Sequence, residues 1–292
     1  MSAIGFIGLG IMGESMCENI VKKSGEDVYA YDVDSAKIRQ LAALGARPAA
    51  SIAEVAAMAD IIFIMVPKSE HVKQVVTELL KNIRPRTIIA DMSTISPKVS
   101  VDLAKAVKKK GGIMLDAPVV KSKPAAIAGQ LGIYVGGDKE TYEKIRPLLA
   151  CMGSNIIHMG NNGTGLIMKL CHNMLVGGIQ NSVNEMIVLA EKAKLDFNDV
   201  VTAISYGGGQ CFYLDAKAKS LGANNFAPAF PFEHMDKDMN LAAGLARELG
   251  ISLKGLKNIC QVYKAGMDKK LNREDFSASI KMVRKAAKAP RK

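Results

Sequence analysis

Six residues near the start, Gly8-Leu9-Gly10-Ile11-Met12-Gly13, constrain this chain more than any other feature. They close an apolar run over 3–8 and open a stretch, 12–23, whose apolar residues recur at helical spacing. Strand, glycine turn and helix in that order form the phosphate-binding corner of a dinucleotide fold. The first glycine permits the tight turn, the second lets backbone approach a pyrophosphate, and the third lets helix and strand pack closely. The helix start then offers amides and a partial positive charge to the phosphates. Glycine turns are common, so the motif needs a second anchor. Asp32 supplies it at the end of the next apolar run. An acid about twenty positions on suits a ribose 2′-hydroxyl and would repel a 2′-phosphate. The expected cofactor is NAD, held by Gly8, Gly10, Ile11, Met12, Gly13 and Asp32.

The surrounding pattern agrees. Strand-like runs fall at 3–8, 28–32, 61–66, 87–91 and 112–116, and helical spacing at 12–23, 35–44, 69–80 and 97–109. Such alternation is that of a doubly wound parallel sheet, a Rossmann domain of the α/β class. Apolar runs at 132–135 and 156–158 flank a helical stretch, 139–152, and are expected to extend the sheet. After Gly160-Asn161-Asn162-Gly163 the texture changes. Residues 165–194 lack proline and keep i, i+3, i+4 spacing, which predicts one long helix of roughly eight turns. Everything beyond reads as helical, with breaks at Gly207-Gly208-Gly209 and 228–231. The expected domains are 1–161, binding the dinucleotide, and 162–292, an all-helical domain for substrate and oligomer contacts.

At 292 residues, two domains are the natural expectation. Net charge is +11, from 39 basic and 28 acidic residues, which raises nucleic acid as a partner. The basic residues are spread along the chain and tryptophan is absent, so no aromatic platform accompanies them. A basic surface that steers anionic substrates fits better, and neither nucleic acid nor membrane is an expected partner. Disorder is expected only at the end, where Lys281, Arg284, Lys285, Lys288, Arg291 and Lys292 crowd together. Cys17, Cys151, Cys171, Cys211 and Cys260 are scattered, odd in number and without CxxC spacing. They read as reduced thiols in a cytoplasmic protein. The dispersed histidines give no metal site. The N-terminus lacks a basic stretch before its short apolar run, so no signal peptide is expected, and no stretch is long enough to span a bilayer.

Chemistry enters with Lys169 and Asn173, four apart on the long predicted helix and so on one face. A desolvated lysine can exchange a proton with a substrate hydroxyl, and the asparagine can hold that hydroxyl or a carboxylate. Most helical lysines are solvated, so context must decide. Asp91-Met92-Ser93-Thr94-Ile95-Ser96-Pro97 and Asp116-Ala117-Pro118-Val119 each end a predicted strand, where open α/β sheets bind ligands. Turn chemistry is the plainer explanation for either loop alone. Two on one sheet edge favour binding.

In these motifs the chain resembles the 3-hydroxyisobutyrate dehydrogenase family, the β-hydroxyacid dehydrogenases. GFIGLGIMG at 5–13, DMSTISP at 91–97, DAPV at 116–119, GNNGTG at 160–165 followed by Lys169 and Asn173, and Met235-Asp236-Lys237-Asp238 occur in the family's order and spacing. The resemblance implies a Rossmann domain, a long linking helix and a helical domain that mediates a homodimer or homotetramer. It makes Lys169 the catalytic acid/base and gives the dinucleotide to residues 8–13, Asp32, Val66, Pro67 and Thr94. It sets Lys237 beside the cofactor and Phe232 near the nicotinamide. The reaction it implies is NAD-dependent hydride transfer between a small anionic 3-hydroxyacid and its semialdehyde.

Two departures bear on the substrate. Most members follow DAPV with Ser-Gly-Gly, whereas this chain has Val120-Lys121-Ser122. Sulfolactaldehyde reductases, a branch of the family, have Gly-Arg-Thr-Ser there, with the arginine on a sulfonate; Lys121 takes the arginine's place and Ser122 the threonine's. Lys121 either reads an anionic substrate end or points into solvent. The first alternative favours 3-sulfolactaldehyde and 2,3-dihydroxypropane-1-sulfonate. The rivals are 3-hydroxyisobutyrate, tartronate semialdehyde and succinate semialdehyde. His172 stands where the family has an asparagine, and no catalytic role is assigned to it. Two other classes stay open: a non-catalytic NAD-binding regulatory protein, against which Lys169 and Asn173 speak, and a purely structural helical oligomer, for which the glycine motif would be surplus.

Overall fold

The first apolar run becomes β1 (Ile4–Ile7), buried at every position, as a strand covered on both faces must be. The computed structural model describes residues 3–287, so Lys288, Arg291 and Lys292 of the basic terminus lie outside the described residues. After β1 come α1 (Gly13–Lys23), β2 (Val28–Tyr31), α2 (Ser35–Ala42), β3 (Arg47–Pro48), α3 (Ile52–Met58), β4 (Ile61–Ile64), α4 (Ser69–Leu79), β5 (Ile88–Asp91), α5 (Pro97–Lys109) and β6 (Ile113–Asp116). These strands lie in the order β3-β2-β1-β4-β5-β6 and pair in parallel. The order reverses between β1 and β4, the switch point where such sheets bind ligands. Register makes that edge even: Ile7 pairs with Tyr31 and Ile64, Ile64 with Asp91, and Asp91 with Asp116. The loops that follow these strands therefore leave the sheet at one level.

Beyond β6 the sheet departs from a purely parallel one. The chain continues through β7 (Val119–Val120), α6 (Lys123–Ala128), β8 (Leu131–Gly136), α7 (Lys139–Met152) and β9 (Gly153–Gly160). The two later apolar runs do extend the sheet. However, β8 runs antiparallel to β6 and β7, and only β9 lies parallel to β8. For β7 the cause is connection length: a parallel return needs a crossover of a dozen or more residues, and only the ten residues 121–130 separate it from β8.

The helical part comprises α8 (Thr164–Lys192), α9 (Phe197–Ile204), α10 (Phe212–Gly222), α11 (Phe232–Glu248), α12 (Lys254–Asp268), a 3₁₀ turn at Phe276–Ser279 and α13 (Ile280–Ala286). The chain forms two compact units, one ending at Lys169 and the other beginning at Leu170. The sequence puts the boundary earlier, near Asn161. The first turn of α8 belongs with the sheet because buried bonds from Asp116 hold it there. In the second unit Leu170, Val183, Ile187, Tyr213, Leu214, Met235, Met239, Ile259 and Tyr263 build the core. No helix among the described residues is long and apolar enough to cross a membrane. The five cysteines are free thiols.

Candidate active site

The glycine loop has the geometry its spacing demands. Gly8 sits at φ +97°, and a side chain there would strike Met65 O; a Cβ on Gly13 would strike Gly8 O. Those two glycines are required by the protein itself. Gly10 differs: a Cβ there would meet nothing within 4 Å. Open space at a position kept without a side chain is what a phosphate group pressed against backbone would need. Ile11 is exposed beside it, while Met12 packs partly on the sheet's core. No side chain caps the start of α1, so no side-chain oxygen competes with an anion for the positive end of its helix dipole.

Asp32 stands next to this corner. Its Oδ2 accepts from Leu9 N at 2.6 Å and its Oδ1 from Asp34 N at 2.9 Å, so the carboxylate ties the glycine loop to the end of β2. Both bonds come from backbone, which fixes its direction and leaves lone pairs for a diol. The next two loops are joined behind the edge: Val66 N donates to Ser93 Oγ at 2.9 Å, and Ser93 N to Asp91 Oδ1 at 3.0 Å. Val66 and Pro67 follow β4, and half-buried Thr94 follows Ser93. The first unit thus brings all nine expected residues (Gly8, Gly10, Ile11, Met12, Gly13, Asp32, Val66, Pro67 and Thr94) to the carboxyl ends of its strands. An open glycine, an uncapped helix start and an oriented carboxylate fit a dinucleotide.

Asp116 has a function that the sequence did not disclose. It is fully buried; Oδ1 accepts from Gly163 N at 2.6 Å and Oδ2 from Leu166 N at 2.9 Å. A carboxylate from β6 thereby caps α8, satisfying amides that would otherwise be orphaned. Gly136 and Gly165 leave the room it occupies. Burial holds its carboxyl above the ordinary 3.8, with the amide bonds opposing that rise in part. Lys169 lies one turn further along and is only 7% exposed. Lysines are almost never buried to that degree as mere surface charges. Asn173, one turn beyond, is likewise buried, and His172 is half-buried.

The loop after β6 is less simple. Val120 is buried in β7, and Lys121 takes φ +77°, a conformation that glycine adopts at lower cost. The Lys121 ammonium donates to Gln130 O at 2.7 Å. Ser122 precedes α6 without capping it through its hydroxyl.

In the second unit the amide of Asn173 donates from Nδ2 to Asp238 Oδ2 at 2.6 Å, and Lys237 Nζ lies 3.3 Å from Asp238 Oδ1. Two residues expected from their positions, Asn173 and Lys237, therefore meet on a third that was not singled out. The signal was present in Met235-Asp236-Lys237-Asp238, whose last acid falls on the buried side of α11. Phe232 is a correction. Its ring is fully buried against Tyr263, with centroids 4.7 Å apart, and Gly266 is kept bare by it. It belongs to the helical core rather than to a nicotinamide pocket, because the bare Gly266 opens a slot on α12 that the ring fills.

Comparison with known proteins follows the same division. A family model described as the NAD binding domain of 6-phosphogluconate dehydrogenase matches residues 3–160. A second, described as NAD-binding of NADP-dependent 3-hydroxyisobutyrate dehydrogenase, matches residues 163–283. The chain is 35% identical to a 2-(hydroxymethyl)glutarate dehydrogenase of Eubacterium barkeri, covering 96% of this chain and 94% of that protein. It is 36% identical to glyoxylate/succinic semialdehyde reductase 2 of Arabidopsis thaliana, covering 98% and 80%. Its fold matches that of a Mycobacterium tuberculosis 3-hydroxyisobutyrate dehydrogenase solved with L-serine, with a TM-score of 0.91 at 32% identity over 97% and 99% of the two chains. The glycine corner, the acid on β2 and the buried lysine of α8 thus lie in a chain that matches such enzymes from end to end: it is a member of the 3-hydroxyisobutyrate dehydrogenase family, the NAD-dependent β-hydroxyacid dehydrogenases.

Proposed function

We propose that this enzyme interconverts a small carboxylated β-hydroxyacid and its semialdehyde, with Lys169 as the acid/base. The observation that carries this is a buried lysine, 7% exposed, on a helix start pinned by a buried carboxylate. Bound NAD supplies the carbon that accepts or gives the hydride. In oxidation, neutral Lys169 takes the hydroxyl proton; in reduction its ammonium returns that proton to the developing alkoxide. Asn173 offers the amide groups left over from its bond to Asp238, and Ser122 a hydroxyl not spent on capping, to orient the substrate's oxygens. Asp32 favours NAD over NADP, since a 2′-phosphate would meet a carboxylate. Val66, Pro67, Thr94 and Lys237 complete the cofactor's surroundings in this reading.

For the substrate, a carboxylate is favoured over a sulfonate. The relatives are named for 2-(hydroxymethyl)glutarate, succinic semialdehyde and 3-hydroxyisobutyrate, each a carboxylic acid. The sulfonated C3 pair, 3-sulfolactaldehyde and 2,3-dihydroxypropane-1-sulfonate, remains the second reading because Lys121 adds a cation where the family has glycine. Its ammonium already spends one donor on Gln130 O, which weakens that case. The test is a panel of C3 to C5 semialdehydes, tartronate and succinate semialdehydes and the sulfonated aldehyde included, with NADH and NADPH. Turnover of the carboxylated members with NADH preferred supports the proposal, and best turnover of the sulfonate replaces it with the second reading. The same reading includes a homodimer or homotetramer, supported by Leu175 and Leu189 standing exposed on α8, and a cytoplasmic location, supported by the five free thiols.

A further inference from the structure

We infer that Asp238 is a positioning residue that aims two other side chains, the Asn173 amide and the Lys237 ammonium, and through them sets substrate and cofactor affinity. This rests on the dehydrogenase reading above. Asp238 is 2% exposed on α11 and takes Asn173 Nδ2 at 2.6 Å on one oxygen and Lys237 Nζ at 3.3 Å on the other. A carboxylate only accepts hydrogen bonds, so it draws the NH₂ end of Asn173 toward itself and turns the amide carbonyl the other way. Without it the amide could rotate by half a turn and exchange donor for acceptor. One N–H and the carbonyl of Asn173 remain, in a fixed order, for a substrate's oxygens.

The ion pair with Lys237 is no default of helix geometry. Neighbouring side chains on a helix do not face each other; the lysine must bend back to reach this oxygen. Lys237 is three-quarters buried when it does so. The Asn173 bond to this carboxylate is charge-assisted and directional, and the ammonium adds an ion pair at 3.3 Å. As a mere filler of the helical core an aspartate would be a poor choice, because apolar groups of similar volume stabilise at least as well. Its chemistry matters where the direction of an amide and the place of an ammonium matter.

The experiment compares wild type with Asp238→Ala, Asp238→Asn, Asn173→Ala and the double variant Asp238→Ala/Asn173→Ala. It reads KM and kcat for the best aldehyde, the NADH dissociation constant from nicotinamide fluorescence, and thermal unfolding. Asp238→Ala is expected to raise KM by about tenfold or more, the worth of one charge-assisted bond, and to weaken NADH by several-fold. Asp238→Asn keeps an acceptor oxygen for Asn173 and recovers most of the KM, yet retains the NADH defect because the charge of Asp238 no longer holds Lys237. Asn173→Ala costs far less in the Asp238→Ala background than in wild type. Additive losses, or equal KM for the two Asp238 variants, overturn the proposal and leave Asp238 a structural residue. Should Asp238→Ala fail to fold, Asp238→Asn decides alone: NADH affinity equal to wild type overturns it. If wild type turns over no aldehyde, the dehydrogenase reading falls. The NADH affinity of Asp238→Asn against wild type still reports whether Asp238 holds Lys237.

Discussion

The two units each bury a carboxylate at a structural joint, and the second adds a lysine and a hydroxyl to the backbone amides that serve alone in the first. In the first, Asp116 is met by the Gly163 and Leu166 amides. In the second, Asp275 receives the Lys217 ammonium at 2.8 Å, the Ser277 hydroxyl at 2.6 Å and the amides of Ala229, Phe230 and Ser277. Burial pushes both carboxyls upward. For Asp116 burial wins and the group stays above 3.8; for Asp275 the lysine and serine outweigh it and hold the group below 3.8. At Asp116 backbone amides do not offset burial, whereas at Asp275 the Lys217 charge and the Ser277 bonds together do.

This contrast runs through the molecule. The first unit builds its site from register, glycines and amides. The second builds its joints from side-chain pairs, including Gln180 and Asn184 on Ser279 as well as Asn173 on Asp238. In the proposed reading nine of the ten cofactor residues belong to the first style, and none of the ten is Lys169, so NADH binding is expected to survive loss of the proton-transfer side chain. Lys169→Ala is expected to lower kcat by about 10²- to 10⁴-fold, with NADH binding within a few-fold of wild type by fluorescence titration. A parallel loss of NADH affinity would break the separation.

Stability tests come next in size. Asp275→Ala strips the partner from a mostly buried Lys217 and is expected to cost about 3–5 kcal/mol in denaturant unfolding of the helical unit. Asp116→Ala leaves buried amides without an acceptor, for about 2–3 kcal/mol, and it should also loosen the start of α8 in amide hydrogen exchange. An Asp116 loss exceeding that of Asp275 would reverse the ranking.

The same pair predicts pH effects of opposite sign. Asp275 has a lowered folded value, so the native state binds fewer protons than the unfolded chain. Its contribution is present above pH 3.8 and fades as pH falls through its lower folded value. Asp116 has a raised folded value. Its contribution is largest in acid, falls as pH rises above 3.8, and is constant once its folded value is passed. Acid unfolding followed by hydrogen exchange should therefore open the surroundings of Asp275 before those of Asp116. The smallest expected effect is at Lys121. Relieving its φ of +77° with Lys121→Gly should stabilise by about 1 kcal/mol or less.

Much of the first unit was legible because its signals are local. The first two strands, the glycine corner and Asp32 lie within 32 residues of the start and are read by spacing alone. So was the long helix with Lys169 and Asn173. What escaped depends on distant partners. Asp116 acts on amides 47 and 50 residues away, and Asp238 on an amide 65 residues away. The antiparallel pairing of β8 with β7 follows from the short connection between them, and the unit boundary fell after Lys169 because a strand caps the helix. Helix α3 was missed for a different reason: its signal was local. Ser51 Oγ accepts from Glu54 N, and Glu54 reaches back to Ala50 N, the Ser-x-x-Glu pattern of a helix start. Phe232 was misplaced because family position says nothing about which way a ring faces.

The central claim is that Lys169 moves the proton in an NAD-dependent reaction whose cofactor is held independently of it. It is tested most directly by single-turnover reduction of the best carboxylated semialdehyde with NADH bound, comparing wild type with Lys169→Ala. The account predicts that the variant binds NADH as wild type does and consumes it at least about a hundredfold more slowly. A variant that consumes NADH at the wild-type rate would contradict it.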